Sequence, residues 1–463
     1  MAESTTTQSV LFPDLLNKPL VIEFDQQHAS SDGGAILLKA CDERLGLTAR
    51  LAKGIVDKRQ QGKVEHSIQD MVRQRLYAIA CGYPDCNDAR QLAQDPLHKM
   101  LVGCDPLSGE DLASQSTLSR FENAPRRADV YRVLEQLAEA VVERHQRRFD
   151  DTRVKLRKIT IDLDPTDDPT HGGQQLSFFN GHYDTWCYLP VAGFLRFNDE
   201  SDQYLFTYVL RPGNATAHEG AIGILDRIIA LVREAFPGVR ILVRLDGGFA
   251  SPELFNYLED DANVDYVVAM AKNSVLERRA RRLMGKARRI SKRTGETANV
   301  FGETRYAAGS WKGRKRRVII KAEVVREDGK SPKDNPRFVV TNMKGTARHL
   351  YKKVYCYRGD IENRIKELHH GLQIDRTSCT TFLANQVRCL LTAAAFVLFQ
   401  ELRLHDRRGE FADAQVETLR DRLLKAAAWV DRSVRRLVIH MPESFVDIEA
   451  WVRIARSVGA VPA

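Results

Sequence analysis

The stretch "KLRKITIDLDPT", residues 155–166, is the part of the sequence that decides the fold. Apolar and polar residues alternate through it with a period of two, which is the pattern of a half-buried β-strand. The apolar positions are Ile159, Ile161 and Leu163, and the polar positions are Thr160, Asp162 and Asp164. The strand therefore carries two carboxylates on one face, close to its end.

Further strands and helices follow this one along the chain. Strands are predicted at 183–195, 204–211, 239–249 and 264–271, and amphipathic helices at 218–236 and 252–260. Three neighbouring strands followed by a helix, a strand, a helix and a strand indicate an α/β layer architecture.

The regions on either side have a different character. Residues 35–150 have helical apolar spacing, and we predict a helical DNA-binding domain there after an N-terminal arm, 1–34. Within it, a Ser/Thr-rich cap at 113–125 leads into a short helix bearing Arg120, as in a recognition helix. An ordinary capped helix in a bundle is the alternative for this segment.

The chain downstream of residue 271 is strongly basic at first. Residues 272–293 hold ten Lys or Arg and one acid, a density that favours phosphate contact over a solvated helix face. We predict a β-rich insertion at 276–343, interrupting a core formed by 151–275 and 344–405, and a helical C-terminal region at 406–463. The stretch 422–441 is predicted to be helical.

Acids at strand ends are the candidate catalytic groups. Asp246 ends an apolar strand and precedes two glycines, while Asp162 and Asp164 lie at the end of theirs. Ligand sites in open α/β sheets lie beyond the carboxyl ends of strands. Sets of carboxylate oxygens suit Mg²⁺ or Mn²⁺. The alternative is that each acid caps a helix or pairs with an arginine.

The stretch "YCYRGDIENRIKELHH", residues 355–370, combines an apolar stripe with charge. On a helix, one face would carry the apolar residues Ile361, Ile365, Leu368 and Leu372. A second face, about 100° away, would carry Tyr355, Arg358, Glu362, Lys366 and His369. This second face suits a phosphodiester, with Glu362 on a metal ion; surface ion pairs are the alternative.

The whole chain has 463 residues and a formal net charge of +9, which favours a polyanionic partner. No signal peptide is apparent, and the apolar run 389–399 is too short to span a bilayer. The eight cysteines show no zinc-type spacing. We therefore expect a cytoplasmic, nucleoid-associated protein with no membrane contact.

Several of these motifs resemble one family. The Tyr-Arg-Glu spacing of 355–362 is similar to the signature of insertion-sequence DDE transposases of the IS-four-like superfamily. The thirteen-eighty insertion-sequence branch is resembled by "IDLDPTDDPTHG", "FFNGHYDTWCYLP", "RPGN", "RLDGGF", "PRFVVTN" and "ENRIKE". The resemblance covers about 20–405, with the motifs in the expected order.

The resemblance implies an RNase H-like catalytic core interrupted by an all-β insertion, and cut-and-paste transposition of an element with inverted-repeat ends. It places the catalytic, metal-binding carboxylates at Asp164, Asp246 and Glu362, with Asp162 as the alternative first ligand. Trp311 in the insertion could stack on an unpaired base, or be a core residue. The family's final lysine position holds His369 here.

The expected chemistry is phosphoryl transfer with two Mg²⁺ or Mn²⁺ ions on double-stranded DNA, carried out by a homodimer that holds both ends. Tyr355, Arg358, Lys366 and His369 would contact DNA. Two alternatives are a metal-dependent nuclease with the same core and a non-catalytic DNA-binding regulator.

Overall fold

The computed structural model describes residues 9–462. It begins with an antiparallel pair of short strands, β1 (Val10–Phe12) and β2 (Leu20–Ile22), in which Val10 lies opposite Ile22. The part of the predicted N-terminal arm that the structure describes therefore contains a hairpin. Residues 1–8 of that arm lie outside the described residues.

A helical region follows, as the apolar spacing predicted. Its elements are β3 (Ala29–Ser30), α1 (Ile36–Leu45), α2 (Leu47–Gly54), α3 (Ile68–Ala80), α4 (Ala89–Leu92), α5 (Pro96–Val102), α6 (Gln115–Asn123) and α7 (Arg127–Asp150). The start of α3 is set by a capping box between Ser67 and Asp70, each side chain accepting from the other's backbone N–H. The apolar sides of α3 and α7 are buried in the main core.

Strands and helices alternate through the next region. They are β4 (Lys158–Pro165), β5 (Asp168–Pro169), β6 (Phe178–Asn180), β7 (Thr185–Tyr188), β8 (Val191–Phe197), β9 (Tyr204–Val209), α8 (Ala221–Ala235), β10 (Arg240–Leu245), α9 (Pro252–Asn256) and β11 (Asp265–Met270). The strand predicted over 183–195 is two strands, separated at Leu189 and Pro190, and β7 belongs to a small separate sheet, β5-β7-β6. Proline interrupts such a strand because it has no N–H to donate.

The central sheet is mixed, and β4 lies in its interior. Five of its strands lie side by side in the order β9-β8-β4-β10-β11. Strands β9, β8 and β4 are antiparallel neighbours, whereas β4, β10 and β11 run parallel. The carboxyl ends of β4, β10 and β11 therefore meet at one edge of the sheet.

The prediction of an all-β insertion is wrong, because the segment also contains a long helix. The segment holds α10 (Ser274–Thr294), β12 (Ala298–Tyr306), β13 (Arg316–Val325), β14 (Lys333–Asp334) and β15 (Arg337–Thr341). The long helix forms because Leu276, Ala280, Met284 and Ala287 recur at helical spacing and are buried. The strands extend the central sheet, with β15 pairing with β11, so the insertion shares a sheet with the core.

The C-terminal part contains α11 (Ala347–His349), α12 (Asp360–Lys366), α13 (Phe382–His405), α14 (Val416–Leu419), β16 (Ala428–Arg432), β17 (Leu437–His440) and α15 (Ile448–Ser457). The helical prediction for 422–441 is wrong over 428–440, which forms a β-hairpin. A turn closes it, in which the Ser433 N–H donates to the Arg436 carbonyl. Strand β16 also pairs with β3, which joins the C-terminal region to the N-terminal one.

Helix α13 is, among residues 9–462, the one helix that is both long and apolar enough to be a candidate membrane span. By length and composition it could cross a membrane, but 89% of its most apolar window is buried inside the protein. This burial agrees with the buried helix predicted around 389–399. Helix α13 contacts α1, α3, α7 and β9, and so connects the helical region to the sheet.

Candidate active site

The candidate site lies at the edge where β4 and β10 end. The two strands are parallel, and their register places Arg244 opposite Asp162. Asp164 and Asp246 each lie two residues beyond this pair, and both carboxylates form an ion pair with Arg358. The structure thus places at one edge two of the three acids that the sequence singled out.

A buried arginine connects these two carboxylates. The Arg358 guanidinium donates from Nη2 to Asp164 Oδ1, and the same nitrogen lies 3.7 Å from Asp246 Oδ2. The other Asp246 oxygen accepts the Gly248 N–H at 2.9 Å. Arg358 therefore supplies positive charge to two acids that would otherwise repel each other.

Burial of the Asp164 carboxyl raises its pKa to about 7. The Arg358 guanidinium opposes this shift, while the negative charges of Asp246 and Glu362 add to it. The Asp164 side chain thus lies within the electrostatic field of both other acids. A desolvated carboxylate among other carboxylates is a donor set that fits a hard divalent cation.

Glu362 is on α12, the helix that follows Arg358, and its side chain is exposed. A closed metal site needs ligand atoms that all lie within 4.8 Å of one another. Among the described residues, Asp164, Asp246 and Glu362 do not meet this condition, whereas Asp32, Cys81 and His98 do. That trio is a poor cation site, because Lys425 Nζ already lies 2.6 Å from Asp32 Oδ1. His98 Nε2 lies 3.0 Å from the other Asp32 oxygen.

Comparison with protein families decides what the chain is. The family model described as "Transposase DDE domain group 1" matches residues 12–461.

The chain is a DDE transposase of this family.

It is similar to piggyBac transposase in a synaptic complex with hairpin DNA, with a TM-score of 0.42 and 10% sequence identity over 86% of this chain and 82% of that chain. No curated protein sequence matches it. Transposases with DDE domains usually use a divalent metal ion.

The apolar stripe predicted for 355–372 is confirmed. Its four residues, Ile361, Ile365, Leu368 and Leu372, are all buried. The charged stripe is not one face, however, because the helical segment around α12 changes its winding. Residues 350–355 and 367–371 form π-helical turns and 356–359 a 3₁₀ turn. In the transposase, Arg358 therefore turns inward, while Glu362 and Lys366 remain exposed.

Tyr355 and His369 flank the carboxylates from the two ends of this segment. Tyr355 is half-buried beside Tyr351, and burial raises its pKa above the usual value. His369 lies where the family pattern has lysine. Its Nδ1 is 3.2 Å from Asp375 Oδ2, and its Nε2 is 3.4 Å from Thr166 Oγ1. His369 thus connects the segment to the end of β4, which would position Asp164.

Asp162 differs from Asp164 in its surroundings. It is fully buried, and Arg244 donates to both of its oxygens at 2.8 and 2.6 Å. Gln203 Nε2 donates to Asp162 as well, at 2.7 Å. A carboxylate with this many donors has a structural role, so the geometry favours Asp164 as the first metal ligand.

Trp311 and Arg120, the two predicted DNA contacts outside the catalytic edge, differ in their exposure. Trp311 is only 6% exposed and packs edge-on against Phe255 and Tyr306, so the core alternative holds and a base cannot stack on it. Arg120 is exposed on α6, beside a cleft of about 540 Å³ that is also lined by Lys58 and Arg59. Its contact with DNA stays a prediction.

A hairpin next to the carboxylates was not among the predicted site residues. Tyr183 lies in the turn between β6 and β7, and burial raises its pKa to about 12, with further contributions from Asp164 and Asp246. One residue pair away from the pair that closes this turn, Phe179 and Trp186 lie opposite each other on the two strands. Their side chains are 52% and 58% exposed. Two large exposed aromatic residues on one short hairpin are a signal the sequence contained, within the "FFNGHYDTW" motif.

Proposed function

We propose that this transposase cuts DNA at the inverted-repeat ends of an insertion sequence and joins the freed ends to target DNA at one site. The proposed catalytic and metal-binding residues are Asp164, Asp246 and Glu362. The observation that carries the proposal is that Asp164 and Asp246 end neighbouring parallel strands and share Arg358 as counter-charge.

An RNase H-like core is the finer proposal for the fold. It is supported by the strand order β9-β8-β4-β10-β11, with three antiparallel strands and then two parallel ones. We also propose membership of the thirteen-eighty branch, which is supported by the sequence motifs alone. The division into 1–34, 35–150, 151–275, 276–343, 344–405 and 406–463 stays a prediction.

The proposed cofactor is Mg²⁺ or Mn²⁺, which would supply an activated water and charge stabilisation at the scissile phosphate. Asp164 would have to give up its proton and its contact with Arg358. The freed guanidinium would then be available to pair with a phosphate oxygen. Exposed Lys366 and half-buried Tyr355 would hold the neighbouring phosphates, and His369 would fix the end of β4.

Double-stranded DNA is the proposed partner, both as element ends and as target. Two ends must be joined to two target strands, so a homodimer is proposed for the DNA complex. Action on chromosomal DNA implies a cytoplasmic, nucleoid-associated protein. This localisation stays a prediction.

The proposal is tested with purified protein, labelled inverted-repeat DNA, an unlabelled target plasmid and Mg²⁺. We expect cleavage at the repeat end, followed by joining of the labelled 3′ end to the plasmid. Cleavage without joining would support the nuclease alternative. Binding without metal-dependent cleavage would support the DNA-binding regulator.

Metal binding is expected to depend on pH through Asp164. Its pKa of about 7 in the metal-free protein means that the carboxyl is protonated below pH 7, and a metal ion must displace that proton. We expect the apparent Mn²⁺ affinity to fall about tenfold per pH unit below pH 7 and to level off above it. Calorimetric titration in two buffers of different ionisation enthalpy measures both the affinity and the proton release.

The matched variants for this titration are Arg358→Gln and Asp260→Asn. Loss of the Arg358 charge removes the influence that lowers the Asp164 pKa, so the levelling-off point should move to higher pH. Asp260 is an exposed acid paired with Arg314, and its variant should behave as the unsubstituted protein. An affinity that is constant between pH 6 and 8, with no proton release, would contradict the assignment of Asp164.

A further inference from the structure

We propose that the outward face of α10 binds the phosphate backbone of duplex DNA along its length, and that Gly285 is the point of closest approach. The inference rests on the proposed function, since it assumes a DNA substrate, and it adds a second DNA-binding surface away from the carboxylates.

The basic residues of α10 form one stripe opposite its buried face. At 100° per residue, the buried residues Leu276, Ala280, Met284, Ala287 and Ser291 lie on one side of the helix. The opposite side carries the exposed residues Arg278, Arg281, Arg282, Lys286, Arg289, Lys292 and Arg293. None of these cations forms a salt bridge within residues 9–462.

The arginines at the flanks of the same helix are in a different situation. Arg288 pairs with Asp334, and Arg279 donates to Thr304 Oγ1 at 3.0 Å. Local acids and acceptors are therefore used at the flanks and are missing along the central stripe. A solvated face would gain from interspersed acids, whereas an unbroken row of cations repels itself and is stabilised by an external polyanion.

Gly285 lies in the middle of this stripe, between Arg282 and Arg289 on the helix surface. A glycine inside a helix is destabilising relative to other residues. The fold does not require it here, because a Cβ at Gly285 would meet no atom within 4 Å. An external ligand that approaches the helix backbone does require it, and a phosphate held between the flanking arginines is such a ligand.

The position of the stripe connects it to the candidate site. Helix α10 begins just after β11, whose carboxyl end lies at the same edge as Asp164 and Asp246. Its 21 residues extend about 31 Å at 1.5 Å per residue, the length of about nine base pairs. Because the stripe offers Arg and Lys alone, it would contact backbone without reading bases. DNA leaving the carboxylates would lie along α10.

The test compares three variants of the full-length protein for binding to a 30-base-pair duplex across a series of salt concentrations. The first replaces stripe residues, Arg278→Gln with Arg282→Gln and Arg289→Gln. The matched control removes the same charge from partnered arginines of this region: Arg279→Gln, Arg288→Gln and Arg314→Gln. The third variant is Gly285→Gln, which leaves the charge unchanged.

The stripe variant should reduce the slope of log affinity against log salt by about 2.7, or 0.9 for each lost phosphate contact, and the control should reduce it by less than 1. Gly285→Gln should melt at or above the temperature of the unsubstituted protein and yet bind DNA several-fold more weakly. Random and inverted-repeat duplexes should show the same losses.

Equal slopes in the stripe and control variants, or undiminished binding by Gly285→Gln, would overturn the inference. A loss confined to inverted-repeat DNA would overturn the backbone contact in favour of base reading. Cleavage by the unsubstituted protein is measured in parallel. If it binds without cutting, the proposed catalytic function fails while the α10 result still stands on its own.

Discussion

Asp246→Asn is expected to lower the rate of metal-dependent DNA cleavage by about a thousandfold or more, since a lost metal ligand costs several kcal/mol at the transition state. The substitution removes the negative charge but keeps an oxygen that can accept the Gly248 N–H. The turn after β10 should therefore be retained, and DNA binding without metal should be unchanged. Single-turnover cleavage of inverted-repeat DNA measures the rate.

Asp260→Asn is the control for this substitution. Asp260 is also an acid near a strand, but it is exposed and pairs with Arg314 away from the edge of β4 and β10. We expect its cleavage rate to equal that of the unsubstituted protein. If Asp246→Asn cuts DNA as fast as Asp260→Asn does, Asp246 is not a catalytic ligand.

Arg244→Met is expected to destabilise the folded protein by about 3–5 kcal/mol, because it leaves the Asp162 carboxylate buried without its charge partner. Gln203 remains as a donor and offsets part of this loss. Chemical denaturation followed by circular dichroism measures the change in midpoint. The double variant with Asp162→Asn should recover stability, since no uncompensated charge is then buried.

The variant Asp164→Asn distinguishes the role of Asp164 from that of Asp162, the other aspartate of β4. The Asp164 pKa is raised, so its charged form is disfavoured in the fold, and Asp246 remains as a charge partner for Arg358; a neutral asparagine should therefore lower stability at pH 7.5 by less than Arg244→Met does. The same variant should lose cleavage as Asp246→Asn does. A large loss of stability from Asp164→Asn, together with normal stability of Arg244→Met, would reverse the roles assigned to Asp162 and Asp164.

Local periodicity predicted much of the fold. The alternation in 155–166 and the apolar spacing in 361–372 match a strand and a helical segment whose apolar positions are buried, but the polar face of β4 is buried as well, so that strand is not half-buried as its alternation predicted. Where it failed, tertiary pairing had decided the structure. The stretch 422–441 has good helix formers at its start, but Ala428 and Trp429 pair with β3, which is about 400 residues away in the chain.

The acids of the candidate site could be predicted from the sequence, but the arginines that pair with them could not. Asp164 and Asp246 could be found because acids at strand ends are visible in sequence. The ion pair between Arg244 and Asp162 depends on the β4–β10 register, and this register is known only from the fold. The inward turn of Arg358 depends on the π and 3₁₀ turns around α12, which break the regular spacing assumed for a uniform helix.

The most direct test is anomalous diffraction from Mn²⁺ in crystals of the full-length protein bound to inverted-repeat DNA. We predict Mn²⁺ contacting the carboxylates of Asp164, Asp246 and Glu362, with the Arg358 guanidinium displaced from Asp164 and facing a phosphate. Manganese bound elsewhere, for instance at Asp32 and His98, with Arg358 still bridging Asp164 and Asp246, would contradict the account.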